Sequence, residues 1–317
     1  MMSRASALPI VLALLIDLIF GDPPNRFHPV AHMGRAIALA KRFAPRRSER
    51  ARLLYGGAVV ASGCAATYLA GRTITRVLAH LPTPLCWLGE AILLKMLFSL
   101  SGLIKAAHQI QCALERRDLD EARRLLSWHL VSRDTSRLSD AHVAAATIES
   151  VAENACDGVI APLWFYALGG LPGALTYRFV STCDSMWGYR NMEYEWLGKV
   201  AARLDDLLNL LPARLTAALI VVAALFLGED ARTAWRIWRR DAAITASPNA
   251  GHPMSAMAGA LGVELEKIGH YRLGQGLRHP RAQDIRRATR LTTVCCGLAM
   301  MFVAILAWLL QRHGDKR

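Results

Sequence analysis

Apolar residues in this chain gather into long runs, at 8–20, 53–70, 85–104, 159–180, 207–227 and 291–310. Runs of this kind cross or enter a bilayer; the first is short, and only the last is a clean span of about twenty apolar residues. Four of the others carry Asp17, Glu90, Lys95, Arg178 or Arg214, and a charge at membrane depth is costly enough to mark a function or a watery cavity. Run 159–180 is interrupted by Gly169, Gly170, Leu171, Pro172 and Gly173, and run 207–227 by Pro212 and Arg214. Neither sequence suits a straight helix, and broken segments occur where backbone lines a buried cavity. The break at 169–173 predicts a re-entrant turn that brings Asp184 back toward the acidic segment at 147–158.

Three polar regions separate the runs. Residues 22–52 are strongly basic, 228–290 basic and Gly-rich, and 105–158 read as soluble helices, with Asp118 opening an Ala/Arg/Leu stretch of helical spacing. No strand-like alternation is sustained and no repeat is visible. The pattern predicts an all-α, polytopic integral membrane protein with broken or re-entrant helices and helical cytoplasmic regions, forming one domain over 1–317.

Composition agrees. The chain is 53% hydrophobic with a net charge of +13, as expected of membrane segments whose loops obey the positive-inside rule. The arginines flank apolar runs instead of forming one basic face, which argues against nucleic acid. Seven cysteines, an odd number without C-x-x-C spacing, suggest neither a disulfide framework nor a zinc site. Residues 8–20 could pass for a signal peptide, but Asp17 and the Gly-Asp-Pro-Pro sequence at 21–24 favour a retained membrane segment.

Candidate chemistry centres on residues 147–162, where Glu149, Glu153 and Asp157 stand four apart. On a helix they share one face and repel each other. A cation such as Mg²⁺ above them is one reading; a solvated face paired with arginines is the other. The Gly-Asp-Pro-Pro turn carries Asp22 and, beyond it, His28, which Pro29 keeps outside a helix. Arg133 offers a fork for phosphate or carboxylate, with Asp134 and Thr135 able to cap the following helix. Downstream stand Asp184, Tyr189 and Arg190, then Asp205 with Asp206, and Arg214. This mixture suits an anionic, Mg²⁺-linked substrate, or equally an ion-paired bundle interior. In 246–262, Ser247, Asn249 and backbone amides precede a small-residue helix, as a phosphate cradle or a packing loop would.

Taken in order, these residues resemble the CobD/CbiB family of cobalamin biosynthesis, the adenosylcobinamide-phosphate synthases. The likeness runs from Asp17 and the turn at 21–24 through Arg133, Glu149 to Asn154, Asp157 with Gly158, and Asp184 to Tyr189. It continues through Asp205 with Asp206, Arg214, and Ser247 to Asn249, and ends at Gly262. Two positions depart from the pattern, His252 where many members have an aromatic residue and Cys183 where an aliphatic one is expected.

The resemblance implies an enzyme of the bacterial inner membrane with a cytoplasmic active site, and other late cobalamin-pathway enzymes as partners. Its reaction would join adenosylcobyric acid to (R)-1-amino-2-propanol, or its O-phosphate, through an amide, consuming ATP with Mg²⁺. A carboxylate must be activated before an amine attacks it, most simply as an acyl phosphate. That chemistry asks for Mg²⁺ on phosphates, cations for developing charge and a base for the ammonium. The catalytic candidates are Glu149, Glu153, Asn154, Asp157, Asp184 and Arg190, with Glu149, Glu153 and Asp157 as metal ligands. Substrate-binding candidates are Asp22, His28, Arg133, Asp134, Asp205, Asp206, Arg214, Ser247 and Asn249. Two other functions compete. A Mg²⁺-dependent membrane prenyltransferase shares the Asn154-x-x-Asp157 pattern but lacks a second Asp-rich motif here. A non-catalytic regulator like the AmpE proteins would have little use for so many polar clusters.

Overall fold

The computed structural model describes residues 7–24, 26–46, 48–189 and 191–315. In chain order these form α1 (Ala7–Phe20), α2 (Pro29–Arg42), α3 (Glu49–Leu78), α4 (Thr83–Lys95), α5 (Leu100–Glu115) and α6 (Leu119–His129). Then come α7 (Asp140–Ala155), a π-helical turn (Cys156–Ile160), α8 (Ala161–Trp187), α9 (Lys199–Leu208), α10 (Leu210–Leu227) and α11 (Ala231–Asp241). Last are α12 (Gly251–Leu261), β1 (Leu265–Lys267), β2 (Tyr271–Leu273) and α13 (Ala282–Asp315).

Among the described residues five stretches are long and apolar enough to cross a membrane: Glu49–Leu78, Thr83–Glu115, Asp140–Trp187, Leu210–Leu227 and Ala282–Leu310. Leu54, Leu69 and Val77 on α3, Leu225 and Phe226 on α10, and Met301 and Ile305 on α13 remain exposed. Apolar surface this extensive needs lipid to cover it. The chain is an all-α, multi-pass membrane protein.

Several local expectations change. The run at 85–104 is divided by residues 96–99 into α4 and α5. Pro212 does not interrupt a helix: the chain breaks at Asn209, and Pro212 sits in the first turn of α10, where its missing N–H has no helical partner to lose. Ser139, not Asp134 or Thr135, caps α7, its hydroxyl accepting from the His142 amide. A two-stranded hairpin appears where none was expected, pairing Leu265 with Leu273 and Lys267 with Tyr271. The break at 169–173 is present, confined to Gly170, whose φ of 63° and ψ of −159° leave the helical region inside α8.

The chain divides into two compact units. The first comprises the described residues within 1–99, 161–209 and 300–317. Its core joins Ile37 of α2, Val60 of α3, Phe179, Cys183 and Trp187 of α8, Leu197, and Ala201 of α9. Backbones of α3 and α8 come close at Gly71, where a Cβ would lie 2.6 Å from the Pro172 Cα. Only glycine permits that approach.

The second unit comprises residues 100–160 and 210–299. Its central helix is α12, buried at every position from Pro253 to Leu261 and packed by α7, α10 and α11. Small residues at Ser255, Ala256, Ala258, Gly259 and Ala260 let these neighbours approach; a Cβ on Gly259 would meet the Thr233 carbonyl oxygen at 2.6 Å. Asp118 caps α6 and Asp230 caps α11. The hairpin is tied back by Asp241, whose carboxylate accepts from the Gly274 amide at 2.6 Å, and its first strand lies against α7.

Candidate active site

In the second unit the site is built on α7. This helix is buried from Val143 to Ala152, so Glu149 projects from an otherwise apolar and small-residue surface. Its side chain is only 6% exposed, and Oε2 lies 3.8 Å from Nη2 of Arg133. The other oxygen, Oε1, is buried without a hydrogen-bond partner. An orphaned carboxylate oxygen is expensive and calls for an explanation in the site's chemistry. Glu153 follows one turn later, half-buried.

The hairpin, whose first strand packs on α7, brings Lys267 and Tyr271 near enough to act electrostatically on these carboxylates. Burial makes the Tyr271 phenol harder to ionise, and the negative charges of Glu149 and Glu153 add to the effect, with Arg133 opposing. Tyr271 therefore stays a proton donor at neutral pH. Next to the hairpin's base, Glu266 bonds to Arg272 at 2.8 Å and faces His142 at 3.4 Å. Burial pushes its pKa up, yet Arg272 and His142 outweigh burial and hold it below the ordinary value.

Neither Lys267 nor Tyr271 stands out in the sequence. Three-residue strands are too short to show alternation, and only the Gly269 turn (φ 75°) hints at a hairpin.

Arg133 is set by its own loop. Asp134 accepts from the amide and hydroxyl of Ser136 at 2.9 and 3.1 Å, bonds that hold its carboxyl below the usual range. Thr135 donates to the Arg123 carbonyl at 3.0 Å. Asp134 thus shapes the turn that presents Arg133. Asn154 donates to the Ser150 carbonyl at 2.9 Å, and Asp157 is the second residue of the π-helical turn, half-buried. That wider turn ends the four-residue ladder the sequence suggested; single π turns are frequent at functional sites. Among the described residues no three His, Cys, Asp or Glu side chains converge tightly enough to hold a metal ion alone. The Glu149 and Glu153 pair still fits Mg²⁺ of the ordinary nucleotide kind, which takes one or two carboxylates and completes its shell with phosphate oxygens and water.

Elsewhere in this unit, Ser247 Oγ accepts from the amides of Asn249 and Ala250 at 3.2 and 3.4 Å, so these two donors are already engaged. Exposed Arg214 donates to the Leu210 carbonyl at 2.7 Å and reaches Asn249 Oδ1 at 3.5 Å. His252 accepts from Trp238 Nε1 at 2.8 Å; burial, helped by Arg214, keeps the ring neutral by lowering its pKa.

The first unit holds a separate constellation. Lys95 of α4 bonds Asp17 of α1 at 3.0 Å and also Asp22, to which the Ser99 hydroxyl donates as well. His28, extended at the N-cap of α2 as Pro29 requires, faces Asp22, Lys95 and Arg178. Its pKa is lowered by burial and by the two cations, against the pull of Asp22. Lys95 and Arg178 carried a sequence signal, charge within an apolar run, yet were not assigned to the site. Asp205 accepts from Asn209 at 2.9 Å, and Asn209 in turn accepts from the Tyr177 hydroxyl at 2.9 Å. Asp206 is 3.9 Å from Arg203. Asp184 is half-buried near the end of α8, and Arg190 lies outside the described residues.

Comparison with known proteins bears on both units. The family described as CobD/Cbib protein matches residues 10–294. The Cobalamin biosynthesis protein CobD of Dehalococcoides mccartyi is 45% identical over 96% of this chain and 95% of its own length. The Probable cobalamin biosynthesis protein CobD of Methanothermobacter thermautotrophicus is 40% identical over 96% and 99%. The Mycobacterium tuberculosis protein named Cobalamin biosynthesis protein CobD is 39% identical over 96% of each chain. No solved structure matches.

Proposed function

The chain belongs to the CobD/CbiB family of cobalamin biosynthesis proteins, and on that premise we propose that it is an ATP-dependent amide-forming synthase of the bacterial inner membrane. It joins a propionate carboxylate of adenosylcobyric acid to the amine of (R)-1-amino-2-propanol or its O-phosphate, on the cytoplasmic side. The prenyltransferase and regulator readings have no observation in their favour beyond the Asn154 and Asp157 spacing.

The observation that carries the proposal is the buried Glu149 with one unpartnered oxygen, flanked by Glu153, Arg133, Lys267 and Tyr271. In the reaction the propionate oxygen takes the terminal phosphoryl group of ATP, releasing ADP; the amine then attacks the carbonyl carbon and phosphate leaves. Mg²⁺ bound with ATP supplies charge neutralisation on the phosphates. Glu149 or Glu153 holds the incoming ammonium and accepts its proton, since a free amine is the nucleophile. Arg133 balances charge that develops on phosphate, and the Tyr271 phenol donates to whichever oxygen faces it. Within the first unit, taken by itself, Asp22 and His28 are the candidates for binding a substrate group, with Lys95 holding Asp22 in place.

The test uses purified protein in lipid nanodiscs with adenosylcobyric acid, aminopropanol phosphate and Mg-ATP. Formation of the amide product with equimolar ADP and phosphate is expected. Absence of product with either amine, from protein that remains folded, would discard the reading.

A further inference from the structure

The hairpin β1–β2 brings Lys267 into a cluster whose charges are not closed into tight pairs. Lys267 and Tyr271 are cross-strand partners, with the ammonium 5.8 Å from the ring centre. Lys267 is half-buried, and its charge acts on Glu149 and Glu153 alike. Arg133, the other cation here, comes no closer to Glu149 than 3.8 Å. Cations present only to neutralise buried carboxylates would close into direct pairs, because an open buried charge is costly. Lys95 in the first unit does so, at 3.0 Å from Asp17. Here Arg133 makes only a long pair with Glu149, no ion pair joins Lys267 to either carboxylate among the described residues, and Glu149 Oε1, on a side chain 6% exposed, has no hydrogen-bond partner. The arrangement is complementary to a ligand that carries both signs close together.

We propose that Lys267 and Arg133 hold a phosphate group while Glu149 takes the cation that accompanies it. The ligand's identity rests on the synthase reading above, and two of its substrates have this chemistry. One is aminopropanol O-phosphate, with its own ammonium; the other is ATP, with Mg²⁺. Lys267 is then a specificity-determining residue, and the hairpin exists to deliver it.

Calorimetric binding to the full chain in nanodiscs separates the two sources. Aminopropanol O-phosphate is titrated without nucleotide, and a non-hydrolysable ATP analogue with Mg²⁺ is titrated without amine. Lys267→Gln should weaken at least one of them about tenfold, the loss of one charge-assisted contact, and Lys267→Arg should restore most of it. The ligand that responds names the phosphate. Unchanged affinity for both ligands, or a loss that Lys267→Arg does not restore, overturns the proposal. Synthase activity of the unaltered protein is scored separately. Lys267-dependent binding without product would sink the reaction and keep the phosphate site; product without Lys267-dependent binding would do the reverse.

Discussion

The ammonium of Lys95 lies 3.0 Å from the carboxylate of Asp17, with the two side chains 3% and 0% exposed. Each is a charge inside an apolar run that would be prohibitive alone; together, with Asp22 beside them, they join α1, the turn after it and α4. Lys95→Met should destabilise the protein by about 3–5 kcal/mol, because two carboxylates lose their cation. Asp17→Asn should cost less, since Lys95 keeps Asp22. Thermal unfolding in detergent, followed by size-exclusion, measures both, and a Lys95→Met protein as stable as the parent would mean the pair is not structural.

Glu153→Gln keeps size and removes charge. Turnover should fall and the Mg²⁺ requirement rise, with the folded state intact by circular dichroism. If both the rate and the metal dependence match the parent, Glu153 only solvates its helix face.

Gly170 occupies φ 63° and ψ −159°, a region essentially closed to residues with a Cβ. Gly170→Ala should cost about 1–3 kcal/mol and lower the melting temperature. Gly169→Ala, with nothing within 4 Å of its added Cβ, is the control that should change little. Equal melting temperatures for the two variants would show that the break is not enforced at Gly170.

His28 has a folded-state pKa below the ordinary 6.5, so the unfolded chain binds more protons between those two values. Its contribution is fully present above about pH 6.5 and is lost as pH falls through the folded value. Stability should therefore drop below about pH 6.5, and His28→Asn should flatten that part of the profile. A drop of the same size in the variant would assign it to another group.

Sidedness is open to chemical labelling. Cysteines introduced at Arg133 and Ser247, both in the second unit, should react with an impermeant maleimide only from the cytoplasmic face. Labelling of either from the outside would contradict a cytoplasmic active site.

Much of the fold was legible in the residues themselves. The apolar runs gave the membrane helices because bilayer thickness fixes how long an apolar segment must be. Gly170 with Pro172 gave the break, since those two residues oppose helix by backbone chemistry alone. The order of motifs from Asp17 to Gly262 gave the family. Asp118 declared itself as a cap, whereas the cap of α7 passed from Asp134 to Ser139, because which of several capable side chains reaches the first free amide depends on the path of the loop.

What the sequence determined by itself was therefore local or periodic: helix, span, break, and the face shared by Glu149 and Glu153. Tertiary structure alone decided which charges meet. Lys95 finds Asp17 across a separation of 78 positions, and Lys267 and Tyr271 reach α7 from more than a hundred residues away, on strands too short to announce themselves. It also left Glu149 Oε1 without a partner, which no spacing rule foretells. Periodicity records the angle between neighbours on one helix; the energy of a buried charge depends on what other segments bring within a few ångströms of it, through the inverse dependence on distance and the low polarizability of the surroundings.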